Sequence, residues 1–281
     1  MKKASEISKK LINLICKPEM RILPGQLAFF LVMSIVPMIA LIGTIAIKLN
    51  IPTSLLSVTI NDAVPSKIAN ILTGMFTGEG LNFNITVFFI SAFILASNGT
   101  HSMIVTSNEI YKIKQGSYLS RRIKAIFMII ILEIVIVFLI LVPIYGDTIF
   151  TVLRTTNLNQ DSVEFFYSLF NLVKYPLIIL VLYINIKLIY IIAPDEKIPS
   201  KSTTKGAIFT TIGWILATEI YAFYVETFIR YDIFYGSVSN ILILLLWFYI
   251  LSYIFVLGLG INASGYREDV TELIQFKKIK K

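Results

Sequence analysis

The stretch ILILLLWFYILSYIFVLGLGINA at positions 241–263 holds no Asp, Glu, Lys or Arg in 23 consecutive residues. The hydrocarbon core of a bilayer is about 30 Å thick, and a helix rising 1.5 Å per residue needs roughly 20 apolar residues to cross it. The stretch is too long and too continuously apolar for a period-2 barrel strand. A helix is also the structure that closes its backbone hydrogen bonds within one segment. Five further stretches pass the same test: Leu27 to Ile47, Ile85 to Val105, Ile123 to Ile144, Ser168 to Ile192 and Ala207 to Ile229. The expected fold class is therefore all-α, a polytopic membrane protein of six transmembrane helices.

Composition agrees. Of 281 residues, 56% are hydrophobic and 15% charged, with mean hydropathy +0.79, whereas about a quarter of the residues of a soluble domain are charged. Six spans fill almost the whole chain, which leaves one membrane domain at 25–264, preceded by an interfacial segment at 1–24 and followed by a basic cytoplasmic tail at 265–281. The first apolar run is about twice the length of a signal-peptide core and lacks a small-residue cleavage site, so the first span should be retained.

Lys and Arg near span ends stay on the cytoplasmic side. Nineteen of the 25 basic residues fall at the amino terminus, in the connections between spans two and three and between spans four and five, and in the carboxy-terminal tail. The opposite connections hold Lys67, Arg154 and Arg230 with the acids Asp62, Glu79, Asp147, Asp161, Glu164 and Asp232. Both termini are expected in the cytoplasm. Anionic headgroups account for the net charge of +8, so the partners expected are membrane lipids and no nucleic acid. Ile7, Leu11, Leu14 and Ile15 share one face of a segment ending before Pro18, which suggests a helix lying in the inner interface. Ile68, Ile71, Leu72 and Met75 suggest a short amphipathic helix in the connection from Ile51 to Phe83.

Several patterns, taken in order, resemble the YihY/BrkB family of bacterial inner-membrane proteins, whose members were once mislabelled as ribonuclease BN. The first-span signature looks like Gln26-Leu27-Ala28-Phe29-Phe30 followed by Ser34 and Pro37. The next looks like Asn108-Glu109-Ile110-Tyr111 before Arg121-Arg122. Pro194 and Gly206, Tyr235-Gly236-Ser237, Trp247, Gly258, Asn262 and Ala263 complete it. The family often carries a Glu shortly before the final Asn-Ala pair, where this chain has Gly258-Leu259-Gly260-Ile261. The resemblance implies a multi-pass protein of the bacterial inner membrane, with transport or envelope-lipid handling as its business and no catalytic set to carry over.

An ionisable side chain at mid-bilayer costs on the order of 2.5 to 3.5 kcal/mol on insertion scales, so each asks for a partner or a purpose. Glu133 lies near the middle of the third span and Glu219 near the middle of the fifth. His101 lies in the inner half of the second span, with Asn98 on the same stripe. By depth, Lys174 is expected to pair with Glu226, and Glu133 or Glu219 to face His101 or Asn98. These six residues are the candidate lining of a polar cavity between helices. A neutral, protonated Glu in the bundle core would also satisfy the physics. Lys187 is expected to snorkel to the inner interface, with Ser97, Asn98 and Thr218 as interhelical hydrogen-bond glue.

His101 is the chain's one histidine and Cys16 its one cysteine, so neither a zinc-type site nor a metal-dependent nuclease site is expected, and no cofactor. No phosphate-cradling loop or serine elbow appears, and the chain is read as not an enzyme. Ile94-Leu95-Ala96-Ser97 parallels Ile215-Leu216-Ala217-Thr218 across three spans, the pattern of an inverted repeat. Pro37, Pro143 and Pro176 are expected to kink spans one, three and four. The leading reading is a transporter of an amphiphile such as an envelope lipid. The alternative is a non-catalytic scaffold for envelope assembly, and ribonuclease ranks last.

Overall fold

The computed structural model describes residues 18–48, 85–154, 160–228 and 239–279, together with Ile15. Six long helices account for nearly all of them: α1 Glu19–Lys48, α2 Ile85–Tyr111, α3 Tyr118–Arg154, α4 Gln160–Ile192, α5 Ser200–Phe228 and α6 Ser239–Ile279. Each contains one of the six apolar stretches, the fifth up to Phe228. The shortest helix has 27 residues and so is about 40 Å long, more than the hydrocarbon core demands. Judged by length and composition over the described residues, three helices are apolar enough to cross a membrane, at Asp161–Ile192, Ser200–Tyr224 and Leu242–Tyr266. Pro37, Pro143 and Pro176 all lie inside helices that continue on both sides. The interfacial segment before Pro18 and the connection from Ile51 to Phe83 fall outside the described residues, as do Tyr235 and Gly236.

Each helix packs on the next in the chain, and α6 returns to α1, so the six close a ring; α2 also packs across it on α6. Among the described residues no comparable packing of α3 on α5 accompanies the α2–α6 contact, so the helix arrangement departs from the inverted repeat at that pair. Among the described residues the core gathers at one end of the bundle: Leu27 of α1, Ile104 of α2, Met128 of α3, Tyr190 of α4 and Phe255 of α6 are all buried there. Away from it the helices turn large apolar side chains outward, among them Phe165, Leu172, Leu216, Ile220 and Phe223. That pattern suits a lipid environment, in which packing and interhelical hydrogen bonds, not apolar burial, hold helices together.

Close approach is achieved with small residues. A methyl group added at Gly258 of α6 would run into Thr210 Oγ1 and the Tyr190 hydroxyl, and one added at Gly206 of α5 would meet the Gly258 carbonyl and the Asn262 amide. The backbones of α5 and α6 touch because neither position carries a Cβ. This accounts physically for glycine at 258.

Candidate functional site

The geometry at the core-bearing end starts from how α2 stops. Lys112 takes a left-handed conformation with φ of 57°. The Ile113 N–H donates to the Asn108 carbonyl at 2.8 Å and the Lys112 N–H to the Glu109 carbonyl at 3.1 Å. This is the paired bonding that ends a helix on a left-handed residue, usually glycine; a lysine there costs about 1 kcal/mol. The turn brings the next connection back under Asn108, which is fully buried.

Asn108 and Asp195 bind each other across 87 residues. Asn108 Nδ2 donates to Asp195 Oδ2 at 2.7 Å, and the Asp195 N–H donates to Asn108 Oδ1 at 2.8 Å. Asp195 Oδ2 also accepts the Gly116 N–H at 3.0 Å. Its other oxygen takes Lys124 Nζ at 2.6 Å, and the same ammonium donates to the Pro194 carbonyl at 3.0 Å. Burial pushes the Asp195 carboxyl up, but the bonds from Lys124, Gly116 and Asn108 outweigh it and hold it below its ordinary value. The α2–α3 and α4–α5 connections are thus bolted together, which places Lys112 and Lys201 at the same end of the bundle.

A second cluster lies on the α2–α3 seam. The two helices run antiparallel, with Thr100 Oγ1 donating to the Ala125 carbonyl at 2.8 Å. Arg122 donates through one terminal nitrogen to Asn98 Oδ1 at 2.8 Å and through the other to the Ile94 carbonyl at 2.6 Å. Arg121 donates to Gln115 Oε1. The His101 ring lies 5.8 Å from that of Tyr118, and its Nε2 is buried without a partner among the described residues. Ser34 of α1 accepts the Gly99 N–H at 3.0 Å, a polar contact between α1 and α2.

The third cluster joins α4, α5 and α6. The Tyr190 hydroxyl is 2.6 Å from Thr210 Oγ1 and donates to the Phe255 carbonyl at 2.8 Å. The Gly206 N–H donates to Asn262 Oδ1 at 2.7 Å. Trp247 Nε1 reaches Thr218 Oγ1 at 3.3 Å.

Among the described residues no hydrogen bond or ion pair joins Asn98, His101, Glu133 and Glu219 to one another. The partner of Asn98 is Arg122, not a carboxylate. Glu133 is 4% exposed, and neither of its oxygens has a partner among the described residues. Glu219 lies exposed on α5, beside the outward stripe of Ile212, Leu216 and Ile220. Lys174 Nζ sits 5.5 Å from the Phe170 ring, and the Glu226 side chain falls outside the described residues. Lys187 lies 5.7 Å from the Tyr183 ring. It leans back toward the start of α4, as the Cα–Cβ direction of a helix favours. Of the expected glue, Asn98 and Thr218 bond between helices and Ser97 bonds its own, at the Ile94 carbonyl. Five of the motif residues make contacts between elements: Ser34, Asn108, Tyr111, Trp247 and Asn262. Tyr111 is buried against Tyr266 at 6.1 Å between ring centroids; Pro37 lies within α1.

The sequence reading missed Asp195, Lys124, Arg122 and Tyr190. Lys124 counts in the sequence only as a marker of sidedness, Arg122 also as part of the Arg121-Arg122 motif, and Asp195 follows the Pro194 already noted. Nothing in spacing links 108 to 195.

The sequence model of the family described as virulence factor BrkB matches residues 19–278. A putative ribonuclease-like protein, YfkH of Bacillus subtilis, is 29% identical over 247 residues, covering 85% of this chain and 87% of its own. A UPF0761 membrane protein of Vibrio parahaemolyticus is 26% identical over 280 residues, covering 94% and 83%. One from Vibrio vulnificus is 27% identical over 260 residues, covering 87% and 77%. No solved structure matches the chain.

Proposed function

Because the chain belongs to the virulence factor BrkB family of membrane proteins, we propose that it crosses the bacterial inner membrane six times, with both termini in the cytoplasm, and carries an amphiphile such as an envelope lipid along a polar path among spans two to five. The observation that supports this most is Glu133. A carboxyl group 4% exposed, with no partner for either oxygen among the described residues, contributes nothing to packing that a leucine would not. Such a group in a span is expected to serve a passing solute or proton. Asn98 and His101 stand toward the basic end of the same path.

The test is flux of labelled lipids and solutes by the purified chain in liposomes, comparing wild type with Glu133→Gln and Glu219→Gln. Flux lost in Glu133→Gln supports the path. Absence of flux for every lipid and solute class in wild type removes it. Glu219→Gln reports whether the path opens on the exposed face of α5.

The scaffold reading draws on α6, which stays helical to Ile279, about 24 Å beyond the end of its apolar stretch. It predicts that Glu133→Gln leaves the cellular phenotype intact and that removal of residues 265–281 abolishes it. A nuclease reading, suggested by the name of the Bacillus relative, finds no group of three His, Cys, Asp or Glu residues able to hold a metal ion among the described residues.

A further inference from the structure

Arg122 points the wrong way. Thr100 pairs with Ala125, so the Arg122 backbone is level with residue 103 of α2. Its guanidinium nonetheless bonds Asn98 and the Ile94 carbonyl, which lie roughly 7 Å and more deeper along α2 at 1.5 Å per residue. Side chains on a helix lean toward its amino terminus, here the basic end, and long cations at span ends normally run their heads out to water. Arg122 does neither. A cation drawn toward the middle of the bundle is expensive unless an anion meets it.

Among the described residues no carboxylate lies within ion-pair distance of Arg122; Lys124 takes Asp195, and Glu164 takes Arg154. A guanidinium carries five N–H donors in a planar fork, of which Asn98 and Ile94 take two, leaving three without a partner among the described residues. The walls beside it are apolar and exposed. Ile90 and Ile94 are exposed one turn apart on α2, and Ile123, Phe127, Ile130 and Ile134 form one outward stripe of α3. One turn from Asn98, His101 Nε2 is buried without a partner among the described residues.

We propose that the Arg122 guanidinium, anchored on Asn98 and the Ile94 carbonyl, binds the phosphodiester of an anionic phospholipid whose acyl chains lie against the α2–α3 stripe. The fork geometry suits two phosphate oxygens at once. The charge needs an anion with no ammonium of its own, and the isoleucine-rich flank suits hydrocarbon. The inference deepens the transport reading by naming a substrate class, and it rests on the six-span reading.

The test is native mass spectrometry of the full chain in detergent, titrated separately with phosphatidylglycerol, phosphatidylcholine, diacylglycerol and inorganic phosphate. Phosphatidylglycerol should be retained in preference to the other three. Arg122→Gln should weaken that retention about tenfold or more, the equivalent of one charge-assisted hydrogen bond, and Arg122→Lys by less. Lys205→Gln, which removes an exposed cation from the same end, should leave it unchanged. Asn98→Ala keeps the charge but releases the fork and should also weaken retention, which covers the case in which Arg122→Gln fails to fold. Retention equal to wild type in Arg122→Gln, or in Asn98→Ala where the arginine variant does not fold, an equal loss in Lys205→Gln, or equal retention of phosphatidylcholine, diacylglycerol or inorganic phosphate would overturn the site. Selective retention without flux in liposomes leaves this site standing and removes transport. Flux lost in Glu133→Gln with retention untouched by Arg122→Gln does the reverse.

Discussion

Asn108 and Asp195 hold one another by two antiparallel hydrogen bonds, amide to carboxylate at 2.7 Å and backbone N–H to amide oxygen at 2.8 Å. An asparagine is the side chain that can give and take in this way at once. Asn108→Ala therefore removes both bonds and leaves the Asp195 N–H unpaired, at a cost of about 1–3 kcal/mol. Asn108→Asp replaces the donor with a like charge and should cost more. Thermal unfolding of the purified variants in detergent measures both; an Asn108→Asp variant as stable as wild type would show that the bolt carries no weight.

The same bolt gives an acid limit. The Asp195 carboxyl is held below its ordinary value in the folded chain, so its contribution is present above the unfolded carboxylate range near pH 4 and fades as pH falls through the lower folded value. Asp195→Asn should be less stable than wild type at neutral pH, and the gap should narrow as pH drops below about 4. Unfolding curves across that range decide it, and a gap that widens on acidification contradicts the assignment.

The α5–α6 contact predicts a contrast between two glycines of one helix. Gly258→Ala drives a methyl into Thr210 and the Tyr190 hydroxyl and should destabilise by about 1–3 kcal/mol, the usual cost of overpacking. Gly265→Ala meets nothing within 4 Å and should be neutral or stabilising, since alanine is the better helix former. Equal effects in unfolding experiments would mean that the two backbones do not touch as described.

Glu133 separates function from architecture. If its carboxyl serves a path and not the packing, Glu133→Leu should leave unfolding unchanged or raise stability by about 1 to 2 kcal/mol while flux disappears. A marked loss of stability in Glu133→Leu would mark the acid as structural.

Sidedness is testable with single cysteines after Cys16→Ser. Positions 112 and 201 should react with an impermeant thiol reagent from the same side of the membrane and position 161 from the other, because the bolt at Asp195 brings the first two connections together.

How much could be read beforehand differs by scale. Six helices followed from the cost of unpaired peptide groups in oil, a property of composition over some 20 residues at a time. The motif residues Ser34, Asn108, Trp247 and Asn262 were named from resemblance, and each makes a contact between elements. The pairings were another matter: an acid was expected to face His101 or Asn98, whereas Asn98 acts as the interhelical glue also expected of it and meets Arg122, and Glu219 was expected inside and is exposed. A helical stripe says which residues share a face but not which neighbour that face meets.

Taken alone, the chain of amino acids determined the helices, their apolar lengths and the gathering of Lys and Arg in alternate connections, because each depends on residues close together in sequence. Only the tertiary structure decided that Asp195 closes on Asn108, that Gly206 and Gly258 let two backbones touch, and that Arg122 turns inward along the seam. Those facts depend on the ring order of six helices and their depth against one another, and partners 24 to 87 residues apart leave no periodic trace in the sequence.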